Sequence, residues 1–121
     1  THATDYPTVN KAMHGDVQMG KGPSLTHGGP NHPVVVERLE QVAKKLIINV
    51  PHNRVSSTSG TDTDVIFWTR GGIPSALISL PNRYMHSPVE MVNLKDLEKI
   101  PAIMAGFALS VKKGESFGVQ I

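Results

Sequence analysis

The chain has 121 residues, the size of one small domain or of part of a larger one. Its formal charge is only +2, so nothing indicates the basic surface that nucleic-acid binding requires. Cysteine is absent, which excludes disulfides, thiolate zinc sites and a cysteine nucleophile, and fits a reducing compartment such as the cytoplasm. The longest apolar run, residues 102–109, is too short to cross a bilayer, so we expect no membrane partner.

Residues 1–31 are rich in glycine and predict short strands and loops. Residues 32–46 form the clearest helical pattern, with Asn31 as the expected cap and Pro33 in the first turn. The apolar stripe of this helix has a 3.6-residue period. It consists of Val35, Leu39, Val42, Ala43 and Leu46.

Outside that stripe, Glu40 and Lys44 have the spacing of a helical ion pair. Residues 47–57 predict a strand with an edge position or bulge at Pro51. These two features describe an amphipathic helix followed by an irregular strand.

The polar segment SSTSGTDTD comes next. Thr61 and Asp64 have the spacing of a capping box and predict a short helix over 65–70, stopped by glycines. Asp62 and Asp64 have two interpretations at this stage, since they can simply cap the helix or help to line a cleft.

Residues 75–80 are apolar and typical of a buried strand in a parallel sheet. A second long helix is predicted from Asn93 toward Lys112, with Pro101 kinking or splitting it. The alternation of helices and strands from residue 32 onward predicts an α/β fold with helices on the faces of a sheet.

Two common catalytic motifs are not supported. Residues 15–22 match G-x-x-x-x-G-K, but Gly22 stands where a phosphate-binding loop needs Ser or Thr, and Pro23 removes a backbone donor. No G-x-S-x-G elbow is present, and Ser87 is followed by proline rather than by a helix.

The chain has six histidines, none paired at the i, i+4 spacing of a helical zinc site. We interpret His14, His27, His32 and His52 as surface or satisfied residues. His86 differs because it follows the predicted strand 75–80, and ligands of open α/β sheets gather beyond strand ends. Its position leaves two alternatives, an ordinary loop histidine or a metal ligand.

Four blocks of the sequence resemble a known family in both order and spacing. They are THATDYP, GDVQMGKGP, SGTDTD and RGGIPSALISLPNRYMHSPVEMVNLKDLE, the last covering residues 70–98. Together they resemble the tetrahedral aminopeptidases, a family that includes glutamyl and deblocking aminopeptidases and proteins called endoglucanase M. The segment RYMHSPVE is specific to that family.

The resemblance implies a three-layer α/β metallopeptidase domain with a mainly parallel sheet flanked by helices. It also implies two divalent ions, zinc or in some members cobalt, that activate a water for attack on the N-terminal peptide bond, with a Glu as general base. Peptides would be the substrates, and the complete protein would be a cytoplasmic homo-oligomer.

Carried over by position, His86 matches the last metal-binding histidine of the family. The other ligands and the general base lie upstream of the matching region, so we expect residues 1–121 to be the C-terminal segment of one catalytic domain. The segment would hold one metal ligand and no catalytic residue, and would be inactive alone. The expected substrate-binding residues are His2, Lys21, Gly60, Thr61, Asp62, Arg83 and Tyr84. The alternative is a non-catalytic α/β module that serves as a scaffold or binds a partner.

Overall fold

A computed structural model describes residues 1–118. Four helices and five short strands are assigned within this range, and none of its helices is long and apolar enough to span a membrane. In chain order the elements are α1 (Lys11–His14), β1 (Ser24–His27), α2 (Pro33–Lys45), β2 (His52–Arg54), α3 (Thr63–Ile66), β3 (Ile78–Ser79), β4 (Asn82–Arg83), β5 (Met91–Val92) and α4 (Leu94–Ser110).

The main sheet has the strand order β2-β1-β3. β1 runs parallel to β2, with Leu25 opposite His52, and antiparallel to β3, with Leu25 opposite Ile78. A second, two-stranded sheet pairs β4 with β5. The predicted α/β class is confirmed, but the interpretation of 75–80 as a buried parallel strand was wrong. Only residues 78–79 form a strand, which is half-buried and antiparallel to its neighbour.

Helix α2 follows the predicted apolar period and begins with Pro33 in its first turn. Its N-cap is His32, so the prediction of Asn31 as the cap was wrong. The Asn31 amide instead donates to the carbonyl of Gly28, while its side-chain oxygen accepts from the backbone N–H of Leu77. Asn31 therefore joins the loop before α2 to the loop before β3.

Helix α4 packs on α2 and is continuous through Pro101, which lies on an exposed position. The predicted cap is confirmed, because the Asn93 side chain accepts from the N–H of Lys95. Close packing of the two helices is possible at Gly106, where an added Cβ would lie 2.6 Å from Val42 Cγ1. The buried core between the sheet and the helices contains Leu25, Val35, Leu39, Val42, Ala43 and Ile103.

The main sheet presents two different faces because side chains alternate along each strand. We call the side that packs on α2 the helix face. It receives Leu25, which belongs to the core, together with His27 and, by register, His52. We call the other side the cleft face. It receives Thr26, Asn53 and Ser79.

The glycine-rich segment before β1 binds a carboxylate of the chain itself. The N–H groups of Gly20 and Gly22 donate to Asp96 on α4 at 2.6 and 2.9 Å, and Asp96 is fully buried. Gly22 has φ +114, and an added Cβ would lie 1.9 Å from the carbonyl oxygen of Asn49. This segment is therefore a structural turn fixed to α4.

The predicted capping box before α3 does not form. α3 starts at Thr63 rather than near residue 65, and its N-cap is Asp62, whose side chain makes no capping hydrogen bond. Asp64 accepts from the N–H groups of Ser59 and Gly60 instead. The carboxylate thus holds the loop before the helix.

Candidate active-site cleft

A cleft lies on the cleft face of the main sheet. Its floor includes Thr26, Leu77 and Ser79 from β1 and the segment containing β3. Three histidines and the loop 59–61 form its walls. The histidines are His2, His14 and His86.

His86 reaches the cleft through an unusual backbone conformation. Its φ is +65, in the left-handed region, and its N–H donates to the carboxylate of Glu90. The residue is exposed, and its ring centroid lies 6.4 Å from that of His2. The two imidazoles therefore face the same cleft, and neither ring is packed into the hydrophobic core.

The loop 59–61 carries a chain of hydroxyl groups that ends on a carboxylate. The Ser59 hydroxyl donates to Asp64 at 2.7 Å, and the Ser59 and Thr61 oxygens lie 2.7 Å apart. The Ser59 N–H and hydroxyl both donate to the Asp64 carboxylate, which lowers the pKa of Asp64 below its ordinary value. Asp64 is therefore an acceptor in this network over the neutral pH range.

The sequence brings four predicted site residues to this cleft. They are His2, Gly60, Thr61 and His86. An added Cβ at Gly60 would meet nothing within 4 Å, so the wall is open at that point. Of the loop 57–62, which was expected to face the cleft of His86, residues 59–61 line it, whereas Ser57 and Thr58 line a separate pocket.

Arg83 and Tyr84, which were expected to bind substrate, are not among the residues that line the cleft. Arg83 Nε and Nη2 each donate to one Asp5 oxygen at 2.8 Å, and this pairing lowers the pKa of Asp5 below its ordinary value. The ring of Tyr84 lies 5.9 Å from that of Tyr6. Both side chains join the loop of His86 to the N-terminal segment.

Lys21 and Asp62 are also outside the cleft. Lys21 is exposed, and its carbonyl accepts from the Asn49 amide at 2.6 Å. Asp62 is exposed, and its backbone carbonyl accepts from the N–H groups of Val65 and Ile66 in the first turn of α3. Capping, which was one of the two interpretations of Asp62, is thus performed by its backbone alone.

His86 fits a metal site as one donor, but the described residues do not surround it with a complete ligand set. Among those residues, one group of three potential ligands has its candidate donor atoms within 4.8 Å of one another. The group consists of His27, Glu40 and His52. It lies on the helix face, and sequence reasoning missed it because its members are separated along the chain and meet only through strand register.

The family of this chain is identified by comparing its sequence with models of protein families. The model described as "M42 glutamyl aminopeptidase" matches residues 1–103, which include the cleft-lining segments and His86. The chain belongs to this family. Its members are aminopeptidases, and aminopeptidases are hydrolases.

Similar proteins and structures agree with this assignment. A lysyl aminopeptidase of Pyrococcus furiosus is 35% identical over 81 residues, which are 67% of this chain and 23% of that protein. The structure of a TET aminopeptidase from a marine sediment archaeon of the Thaumarchaeota superposes with a TM-score of 0.76 at 31% identity, covering 86% of this chain and 29% of that one. The structure of an aminopeptidase from Desulfurococcus kamchatkensis superposes with a TM-score of 0.74 at 34% identity, covering 90% of this chain and 31% of that one. The chain spans about a quarter of the length of the curated relatives it matches.

Proposed function

We propose that the complete protein is a metal-dependent aminopeptidase that removes N-terminal residues from peptides, and that residues 1–121 form the C-terminal segment of its catalytic domain. The observation that carries the proposal is the position of His86. In a chain of this family, the histidine of the RYMHSPVE segment opens into a cleft that also contains His2 and the loop 59–61.

In this proposal His86 is one ligand of a metal centre whose other ligands come from outside the described residues. Two divalent ions, zinc or cobalt, would polarise the scissile carbonyl and lower the pKa of a bound water. The part of His86 is to present a ring nitrogen with a free lone pair. Its left-handed backbone and the acceptor Glu90 hold the loop in the required orientation.

Thr61 is proposed to recognise the free amino terminus or a backbone N–H of the substrate. The Asp64 carboxylate has no proton, so the Ser59 hydroxyl must donate to it. Ser59 can then only accept from Thr61, which leaves the lone pairs of Thr61 Oγ1 for the cleft. A hydroxyl fixed in this way is an acceptor, suited to an ammonium or amide donor.

Arg83 is proposed as a positioning residue. Its bidentate pair with Asp5 lies three residues before His86, and Asp5 also accepts from the N–H of Met19. This ion pair joins three segments next to the cleft, and so limits the movement of the His86 loop.

Assembly and compartment are proposals of the same kind. Val65 on the short helix α3 and Trp68, two residues after its end, are 72% and 78% exposed. Apolar side chains exposed to this extent are suited to burial against another part of the complete protein or a second copy, in line with the homo-oligomer that the family resemblance implies. We assign the protein to the cytoplasm.

The second candidate is a non-catalytic α/β module that binds a partner. One observation favours it, namely that among the described residues no group of three potential metal ligands includes His86. The family match favours the peptidase, because the cleft residues and His86 occur within the matched segment.

Hydrolysis of aminoacyl-p-nitroanilides with Zn²⁺ or Co²⁺ separates the two functions. We expect chelator-sensitive turnover by the complete protein, none by the chain alone, and a loss of at least about 100-fold in the His86→Ala protein, because the metal site loses a direct ligand. Thr61→Val should raise KM, whereas the matched Thr61→Ser should retain activity. Full activity of the His86→Ala protein would refute the site, and turnover by the chain alone would refute its assignment as a partial site.

A further inference from the structure

We propose a second cation site on the helix face of the main sheet, formed by His27, Glu40 and His52 and suited to zinc. The site is separate from the proposed peptidase centre, because the three residues lie on the side of the sheet opposite to His86. It joins β1, β2 and α2, which are three elements distant in sequence.

The strand register brings the two histidines together. Leu25 pairs with His52 and His27 with Arg54, so the two imidazoles are diagonal neighbours on one face of a parallel pair. Glu40 lies on the adjacent α2, next to the apolar stripe of that helix, and is half-buried. The predicted ion pair of Glu40 with Lys44 does not form among the described contacts, because the carboxylate faces the histidines.

The donor atoms have the spacing of a single coordination sphere. His27 Nε2 lies 2.7 Å from His52 Nδ1 and 3.2 Å from Glu40 Oε1, and the third edge, from His52 Nδ1 to Glu40 Oε1, is 3.6 Å. A circle through these atoms has a radius of about 1.9 Å, just below a zinc–nitrogen bond of about 2.0–2.1 Å. One ion slightly above their plane would therefore reach all three.

Hydrogen bonding alone satisfies this cluster poorly. Each ring nitrogen carries either one proton or one lone pair, and a carboxylate only accepts. If one proton lies between His27 Nε2 and His52 Nδ1, it is used in the bond between the two rings, and neither nitrogen has a second proton for Glu40. If both nitrogens carry a proton, the two hydrogens clash, because the nitrogens are only 2.7 Å apart. One cation can instead accept a lone pair from each of the three atoms.

The ligand set indicates the class of metal. Two imidazoles and one carboxylate form a known type of zinc site, with water in the remaining position. The side chains of His27, Glu40 and His52 are 38%, 22% and 49% exposed, so an ion and a water can reach them. The absence of thiolates and the presence of only one carboxylate disfavour both copper(I) and calcium.

The test is the zinc content of the complete protein after equilibration with excess Zn²⁺ and removal of unbound metal. We expect Glu40→Gln and His52→Gln to hold one zinc per chain fewer than the wild type. Glu37→Gln is the matched control, because it removes the same charge from an exposed position one turn earlier on α2. Its zinc content should equal that of the wild type.

Failure of this proposal is distinguishable from failure of the proposed peptidase function. Glu40→Gln should retain the aminopeptidase activity, whereas His86→Ala should lose it and keep the zinc of the helix face. Circular dichroism checks that each variant folds, and if Glu40→Gln does not fold, the exposed His52→Gln decides. Equal zinc content in the wild type, Glu40→Gln and His52→Gln would overturn the site and leave a metal-free hydrogen-bonded cluster.

Discussion

The two faces of the main sheet are built from adjacent residues but by opposite rules. On the helix face, Leu25 is fully buried among the apolar side chains of α2 and α4. On the cleft face, Thr26 is equally buried, yet its hydroxyl has no hydrogen-bond partner among the described residues. Leu25 therefore contributes stability by apolar burial, while Thr26 carries a buried, unpaired hydroxyl that costs stability.

Substitution of these two neighbours gives the largest expected contrast. Leu25→Ala should lower the free energy of unfolding by about 3 kcal/mol or more, because it opens a cavity in the core. Thr26→Val keeps the shape and removes an unpaired hydroxyl, so it should be neutral or stabilising by up to about 1 kcal/mol. Denaturant unfolding of the complete protein measures both changes. A large loss from Thr26→Val would show that its hydroxyl is paired and that the two faces are not opposites.

The next largest effect concerns the link between the helices and the segment that enters β1. Asp96→Asn should cost about 2–3 kcal/mol, because one amide cannot replace a carboxylate that accepts from both Gly20 and Gly22. Glu98→Gln, on an exposed position of the same helix, is the matched control and should change stability little. Equal unfolding midpoints for the two variants would exclude this role of Asp96.

The sequence predicted the helix face better than the cleft face, for a physical reason. A 3.6-residue period identifies α2 because many apolar positions report on one packing surface. Strands of two or three residues contain no such period, so neither the direction of β3 nor the register of β1 and β2 could be read from the sequence. The predicted caps of α2 and α3 were also wrong, because Asn31 and Asp64 form tertiary or loop hydrogen bonds instead.

The cleft was predicted in part, through its motif. His86 and the loop 57–62 were expected to face one cleft, and residues 59–61 of that loop line it, whereas the ion pair of Arg83 with Asp5 was not predicted. A salt bridge across 78 positions leaves no signal in a single sequence. The same holds for His27 and His52, whose proximity depends entirely on strand pairing.

A smaller effect tests how closely α2 and α4 pack against each other. Gly106→Ala places a methyl group 2.6 Å from Val42 Cγ1, so overpacking of about 1–3 kcal/mol exceeds the helix-propensity gain of about 1 kcal/mol. We expect a net destabilisation of about 1 kcal/mol by denaturant unfolding. The double variant Gly106→Ala with Val42→Ala should show a favourable coupling between the two changes. Strict additivity would contradict the direct contact.

The smallest effect concerns the pH dependence of stability at the Asp5–Arg83 ion pair, which lies next to the cleft. Because Arg83 lowers the folded-state pKa of Asp5, the ion pair contributes stability above the unfolded-state pKa of about 3.9 and loses it as the pH falls through the lower folded value. Asp5→Asn should therefore reduce the unfolding temperature by a few degrees at pH 7, and the gap to the wild type should close at pH values below about 3.

Asp16→Asn is the control, because the pair of Asp16 with Lys11 is about half exposed on both sides and is expected to contribute almost nothing. The Leu25→Ala deficit, which comes from lost apolar burial, should persist across this pH range. A gap between wild type and Asp5→Asn that stays constant from pH 7 to below pH 3 would show that Asp5 acts through packing rather than through its charge.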